Sequence, residues 1–380
     1  MSEIQLLREL VSFDSVFPNE ERIGVFIEHL LKGHGFSTKR DYVERNRFNV
    51  LAERGRGRSS ILFYGHMDTV PKYGTWKGGN PLRLREAGGK LYGLGAHDMK
   101  AGVAAALQAA IGSKGEYVKL LFCVDEENIS KGSWSAGRKH RAWFDDVRVI
   151  VTGEAGVTHK NDGGTGVIML GRRGRCVIAV EVKGRSAHGA EPERGINALS
   201  QAAIIASHTG MIPERRHKKL GKESIFVREI RSSSTSLSIP ENAYLEFDMH
   251  IVPPDTSADA RSRIEAYIKG LVSTRLLNPE TRFNVYVAKR ETPYLDPYIT
   301  SETDRHVRKI MSLERKRSGR LHVNYGLSVA DENVLANALH VPVVTLGPVG
   351  GGEHSSEEWV SKQSLTEIVG LYKEIIKNRI

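Results

Sequence analysis

Four short apolar runs, NVLAE, SILFYGH, VKLLFCVDEE and VRVIVTGE, constrain this chain more than any other feature of it. Each is rich in apolar side chains and bounded by Gly, Asp or Glu, as expected of strands buried on both faces. Between the second and third lies Met99 to Ile111, MKAGVAAALQAAI, an Ala-rich stretch that reads as a buried helix. Strand, helix, strand predicts βαβ units and a mostly parallel sheet. Ahead of them, Glu20 to Gly33 sets Ile23, Phe26, Ile27, Leu30 and Leu31 at helical spacing and closes on Gly33 and Gly35.

From about Gly171 the pattern changes. GRRGRCVIAVEVKGRSAHG reads as a strand with Val177, Ala179 and Val182 as its apolar positions. A helix over Ala198 to Ser207 follows, then a basic loop and a strand ending in SIPENAYLEFDMHIV. A helix near Ala258 to Leu276 and the strand FNVYVAK complete a β-α-β-β-α-β order, a two-layer α+β unit. After Pro293 the βα style returns, with a helix around Asp304 to Leu313, the strand LHVN and a helix from Ala330. The strand VPVVTLG and a helix over Leu365 to Lys377 end the chain. The expected architecture is one α/β domain built from 1–170 and 286–380, with a smaller α+β domain, 171–285, inserted. A length of 380 residues supports the division, since single cores stop growing near 250–300 residues.

Composition removes several function classes. No apolar run approaches the roughly 18–20 residues that span a bilayer. The opening MSEIQLLRELVSFDS lacks the charged-then-apolar layout of an export signal, so a cytoplasmic location is expected. The two cysteines, Cys123 and Cys176, make no disulfide framework and read as small buried hydrophobes in a reducing compartment. The net charge of +10 is scattered, apart from RGRGR (Arg54 to Arg58) and RRHKK (Arg215 to Lys219), which read as solvated loops. That distribution disfavours nucleic-acid binding and is compatible with attraction of anionic substrates.

The chemistry-bearing residues sit where strands end. SILFYG runs into His66-Met67-Asp68, and the loop before the Ala-rich helix holds Gly95-Ala96-His97-Asp98. LLFCV runs into Asp125-Glu126-Glu127, VIVT into Gly153-Glu154, and VPVVTLG leads to Gly350-Gly351-Gly352-Glu353-His354. In an open α/β sheet the carboxyl ends of the strands face one crevice. Two imidazoles and several carboxylates, with no thiolate, suit zinc, with cobalt or manganese as substitutes. So many carboxylates in one cleft would repel one another strongly without cations. Taken singly, each feature has a plainer explanation: Glu126-Glu127 as a helix start, Glu154 as a cap, His354 as a surface histidine.

The segments GHMDTVP, GLGAHDMKAGVAAA, DEEN, TGE, SAHGAEPERGINAL and GPVGGGEHSSEEWV resemble, in that order, the motifs of the M20 metallopeptidases and amidohydrolases. The resemblance extends from about Leu6 to Ile376. It implies a dinuclear-metal catalytic domain with an inserted lid and dimerisation domain, hence a homodimer. It implies that two divalent metal ions, zinc above all, are bound by His66 and Glu154 on one side and Glu127 and His354 on the other, with Asp98 bridging. Asp68 would accept a hydrogen bond from the His66 ring, Glu126 would be the general base, and His188 would stabilise the oxyanion from the partner subunit. Arg172 and Arg173 are candidate anchors for a substrate carboxylate, since guanidinium forks bind carboxylates in two places. Gly350, Gly351 and Gly352 would let backbone amides approach a ligand. The implied activity is hydrolysis of the amide of an N-acyl amino acid or a short peptide bearing a free carboxylate. The alternative is a carboxypeptidase or dipeptidase, including one that releases lysine or ornithine from a carrier protein. One departure is His250, at a place in LEFDMH where many members carry Arg.

Overall fold

The computed structural model describes residues 1–76, 79–113, 115–154, 166–232 and 237–380. It forms two compact units, one of Met1–Gly171, Ile299–Gly326 and Ala330–Ile380, the other of Arg172–Tyr298 with Leu327–Val329. The first unit is α/β, as the run pattern predicts. Its sheet orders the strands Ser37–Glu44, Arg47–Arg54, Val118–Cys123, Ser60–His66, Val147–Thr152, Val343–Thr345, Val167–Arg172 and Tyr298–Ile299. His322–Gly326 pairs beside Val167–Arg172. Val118–Cys123, Ser60–His66, Val147–Thr152 and Val343–Thr345 are mutually parallel neighbours, and antiparallel strands flank them.

Every residue of Ser60–His66 and of Val118–Cys123 is buried, which is why these strands read as continuous apolar runs. The Ala-rich helix is Ala101–Gly112, starting two residues later than expected, with nine of its residues buried. Its small residues let it lie flat against the sheet. A Cβ on Gly102 would stand 2.6 Å from the carbonyl oxygen of Gly153, so the helix start and the end of Val147–Thr152 meet backbone to backbone. Parallel pairing aligns the strand ends: His66 faces Cys123, and Thr345 faces Thr152. A second sheet orders Gly350–Gly351, Trp359–Ser361, Lys90–Tyr92 and Arg85–Ala87, and holds the loop that carries His354.

The second unit has the expected β-α-β-β-α-β order. Its antiparallel sheet runs Ser224–Ser232, Asn242–His250, Cys176–Lys183, Arg282–Val287. Helices Ala198–Ser207 and Ser257–Ser273 cover one face, where Cys176, Ile178, Val180 and Val182 meet Ala202, Ile205, Ile264 and Ile268. The even-numbered residues therefore face the helices, and the expected set of Val177, Ala179 and Val182 mixes the two faces. Val177 and Ala179 are buried too, so alternation shows only from Val180 to Lys183. The unit also runs past the expected end at 285. Ala288 donates to the Val177 carbonyl, and Arg175 and Leu295 exchange backbone hydrogen bonds, binding the following segment to this sheet. Cys123 and Cys176 are both free and buried. Among the described residues no helix is long and apolar enough to cross a membrane.

Candidate metal centre

Five of the residues singled out in the sequence converge in the first unit. His66 ends its strand with no side-chain exposure, and its Nε2 lies 3.1 Å from Asp98 Oδ1 and 3.6 Å from Glu154 Oε2. His354 Nε2 lies 3.5 Å from Asp98 Oδ2 and 3.2 Å from Glu127 Oε2. Asp98 thus presents one oxygen to each imidazole. His66, Asp98 and Glu154 form one cluster with ligand atoms within 4.8 Å of one another, and Asp98, Glu127 and His354 form another. Glu126 stands with Glu127 and His66 in a third grouping.

The orientation of His66 suits a ligand. Its Nδ1 is 3.0 Å from the backbone carbonyl of Asp68, so the Nδ1 proton is engaged and Nε2 faces the acids. The expected partner was the Asp68 carboxylate, but its nearest oxygen is 3.5 Å from Nδ1. That carboxylate is occupied elsewhere: it accepts the amide N–H of Glu126 at 3.2 Å and of Glu127 at 2.9 Å. Asp68 therefore fixes the turn that carries both glutamates as well as the His66 ring.

The electrostatics follow from crowding. Burial, and after it Asp98, pushes the Glu154 carboxyl well above the usual range. Burial does the same to Glu126, with Glu127, Asp331 and Asp98 adding repulsion that His66 partly offsets. Burial opposes ionisation of Asp98 too, yet hydrogen bonds from His354 and His66 hold it well below its ordinary value. Contacts with Asp98 and Glu127 push His354 up to about 11. The two imidazolium rings thus act as counter-ions to the surrounding acids. Glu154 Oε2 is buried without a hydrogen-bond partner. A buried carboxylate oxygen left so is costly unless a cation completes it. The donor set, imidazole and carboxylate without thiolate, fits a pair of divalent cations.

Three supports were not legible in the sequence. Glu358, 2% exposed, accepts the backbone N–H of Gly95 at 2.7 Å, His97 at 2.8 Å and Asp98 at 2.9 Å. Burial pushes its carboxyl up to about 7. Its only signal is its place in the same loop as His354. Arg47 bonds Glu20 at 2.6 Å and Asp125 at 2.8 Å, while Asp125 accepts the Lys131 N–H at 3.0 Å, shaping the turn before Glu126. His97 and Glu353 make a buried contact between neighbours of two candidate ligands.

His188, Arg172, Arg173 and His250 belong to the second unit, while Gly350 to Gly352 belong to the first. His188 is an exposed residue of the second unit whose Nδ1 accepts the Ala190 N–H at 3.1 Å, leaving Nε2 outward. Arg172 is not in a solvated turn: it is 1% exposed, with Nη1 3.0 Å from Ser328 Oγ. Arg173 directs Nε and Nη2 to the carbonyl of Leu220 at 3.1 and 3.0 Å. Gly350 and Gly351 form a short strand, and a Cβ on Gly350 would strike the His97 ring. Gly352 has φ +74°, which favours glycine. Burial lowers the pKa of His250, so at neutral pH it does not replace the cation that Arg would supply.

Comparison with known proteins agrees with this geometry. The chain is 25% identical over 389 residues to succinyl-diaminopimelate desuccinylase of Rickettsia bellii, with 96% of this chain and 94% of that protein covered. The aminopeptidase PepT of Bacillus cereus superposes with a TM-score of 0.79 at 17% identity, covering 99% of this chain and 97% of that one. The Bacillus subtilis YXEP protein, described as a dinuclear metal binding peptidase of the M20 family, gives 0.72 at 15% identity over 100% of this chain and 98% of that one. The model of peptidase family M20/M25/M40 matches residues 62–378, and the chain is a hydrolase belonging to that family.

Proposed function

We propose that the chain is a dinuclear metal-dependent amidohydrolase acting on an N-acyl amino acid or a short peptide with a free carboxylate. The observation that carries this reading is Asp98 offering one oxygen toward His66, at 3.1 Å, and the other toward His354, at 3.5 Å. His66 and Glu154 would hold one cation, Glu127 and His354 the other, and Asp98 both. Zinc fits the ligand set best, and cobalt or manganese would substitute. Bound there, the cations would lower the pKa of a water toward about 7 and polarise the scissile carbonyl.

The protein's own part follows from its side chains. Glu126 accepts the proton of the attacking water and passes it to the leaving amine. Asp68 orients that base by holding its amide N–H, together with that of Glu127. His188, with Nδ1 accepting from Ala190, is left with Nε2–H as a donor for an oxyanion. The second unit, residues 171–285 in the sequence reading, serves as lid and dimerisation domain. Its edge strand Ser224–Ser232 exposes Phe226 and Ile230, apolar groups that a second copy would cover in a homodimer. Arg172 and Arg173 would anchor the substrate carboxylate. Gly350, Gly351 and Gly352 would let backbone amides approach a ligand.

The relative from Rickettsia bellii points to a desuccinylase, and so to amino-acid biosynthesis. The net charge of +10 keeps the alternative of a carboxypeptidase or dipeptidase that takes lysine or ornithine from an acidic carrier. A panel of succinyl-diaminopimelate, acetylornithine, other N-acetyl amino acids and dipeptides, assayed with zinc or cobalt, tests the reading. Turnover of one class, abolished by a chelator and restored by metal, is the expected result. Full activity of metal-free protein would overturn it.

A further inference from the structure

His97 and Glu353 supply no atom to either ligand cluster, yet each immediately precedes a residue that does, Asp98 and His354. His97 Nδ1 lies 2.5 Å from Glu353 Oε1, and the side chains are 7% and 28% exposed. The other ring nitrogen lies 3.1 Å from the carbonyl oxygen of Pro348. A Cβ on Gly350 would come within 2.3 Å of two ring carbons, so the backbone of the glycine loop rests directly on the imidazole.

The two ends of the ligand set differ in how they are held. His66 is the last residue of a wholly buried strand. His354 is 54% exposed, sits at φ +58° and belongs to the loop between Gly350–Gly351 and Trp359–Ser361. Its spacing from Asp98 is therefore set by whatever joins that loop to the turn at 95–98. Glu358 joins them through backbone amides. His97 and Glu353 join them through side chains immediately beside the ligands. The short Nδ1–Oε1 separation leaves the two side chains no room to move toward each other, so the loop and the turn keep a fixed spacing there.

We propose that the His97–Glu353 pair is a positioning brace that holds His354 at the distance from Asp98 required by the second cation. The inference rests on the two-cation reading above. Neither residue is a ligand, and neither touches the reacting atoms. The brace makes the His354 position, and not the His66 position, dependent on a contact made outside the ligand set.

Zinc titrated into metal-free protein against a competing chelator gives a dissociation constant for each equivalent, and the visible absorption of cobalt reports the second site separately. Glu353→Gln and His97→Gln should each weaken the second equivalent roughly 10–100-fold, as loss of a group supporting a metal ligand does, and leave the first unchanged. The double variant should be no worse than the weaker single, because the two act as one unit. Gly350→Ala, which displaces the ring without removing either charge, should reproduce the selective loss and carries the test if His97→Gln fails to fold. Equal loss at both sites, additive losses in the double variant, or no change would overturn the brace. Wild-type protein that takes up fewer than two zinc ions would instead overturn the two-cation reading itself.

Discussion

Glu358 offers a quantitative test of how the bridging carboxylate is held. Its carboxylate collects three backbone N–H groups, two on Oε1 from His97 and Asp98 and one on Oε2 from Gly95. Replacing it by Ala leaves all three donors buried. Each orphaned donor costs about 1–3 kcal/mol, and water entering the vacated space recovers part of that. A loss of roughly 3–6 kcal/mol follows, a large share of the ~5–15 kcal/mol that stabilises a typical domain. Glu358→Gln separates charge from shape. The amide oxygen can keep the His97 and Asp98 bonds, while its NH2 would face the Gly95 N–H, donor against donor. Its cost should fall near ~2 kcal/mol, the loss of one charged hydrogen bond. Urea unfolding of metal-free wild type and both variants, followed by circular dichroism and fitted for the transition of the first unit, measures these differences. Zinc affinity should fall alongside, since the Asp98 amide is released. An Ala variant within 1 kcal/mol of wild type, or a Gln variant as damaged as Ala, would refute the argument.

The remaining expectations concern the chemistry. Glu126→Gln should keep both metals and lower kcat by about 10²–10⁴-fold, because a general base acts after ligation; metal analysis beside turnover decides it, and an active variant removes Glu126 from the role. His354 is pushed up to about 11 and His66 is raised as well, which favours a protonated His354 in metal-free protein at neutral pH. Ligation must expel that proton, so zinc affinity should rise with pH from neutrality toward about 11, and calorimetry in buffers of different ionisation enthalpy should register the release; a pH-independent constant would contradict it. His188→Ala should lower kcat with metal content intact, and an unchanged kcat would exclude His188 from the reaction.

The grouping of the candidate ligands was legible because each lies within a few residues of the end of an apolar run or beside a glycine turn, and strand ends in such a sheet have a shared address. His66, Asp98, Glu127, Glu154 and His354 are found together for that reason. What holds them was not legible. Glu358 reads as one more acid in HSSEEWV, and only the fold brings it under the amides of Gly95 to Asp98. Arg47 and Asp125 stand far apart in the chain, and nothing in either neighbourhood announces their 2.8 Å contact. Asp68 was expected to accept from the His66 ring, but its carboxylate serves the Glu126 and Glu127 amides more closely than the ring. The strand Cys176–Lys183 shows the other limit. Burial on both faces hides the period of two from Cys176 to Val180, so in that half the core-facing set could not be chosen from apolarity alone, although Glu181 and Lys183 keep the alternation.

The strand Val343–Thr345 pairs with Val147–Thr152, and all of the second unit's main segment lies between them in the chain. During synthesis the earlier strands must wait for the whole intervening segment before the sheet gains that partner. Loop-closure entropy makes such late, distant pairing slow. His354 leaves the ribosome later still. A chain interrupted anywhere between Glu154 and His354 would hold only part of the candidate ligand set, so a nascent chain could not assemble the proposed centre before the second unit had been made.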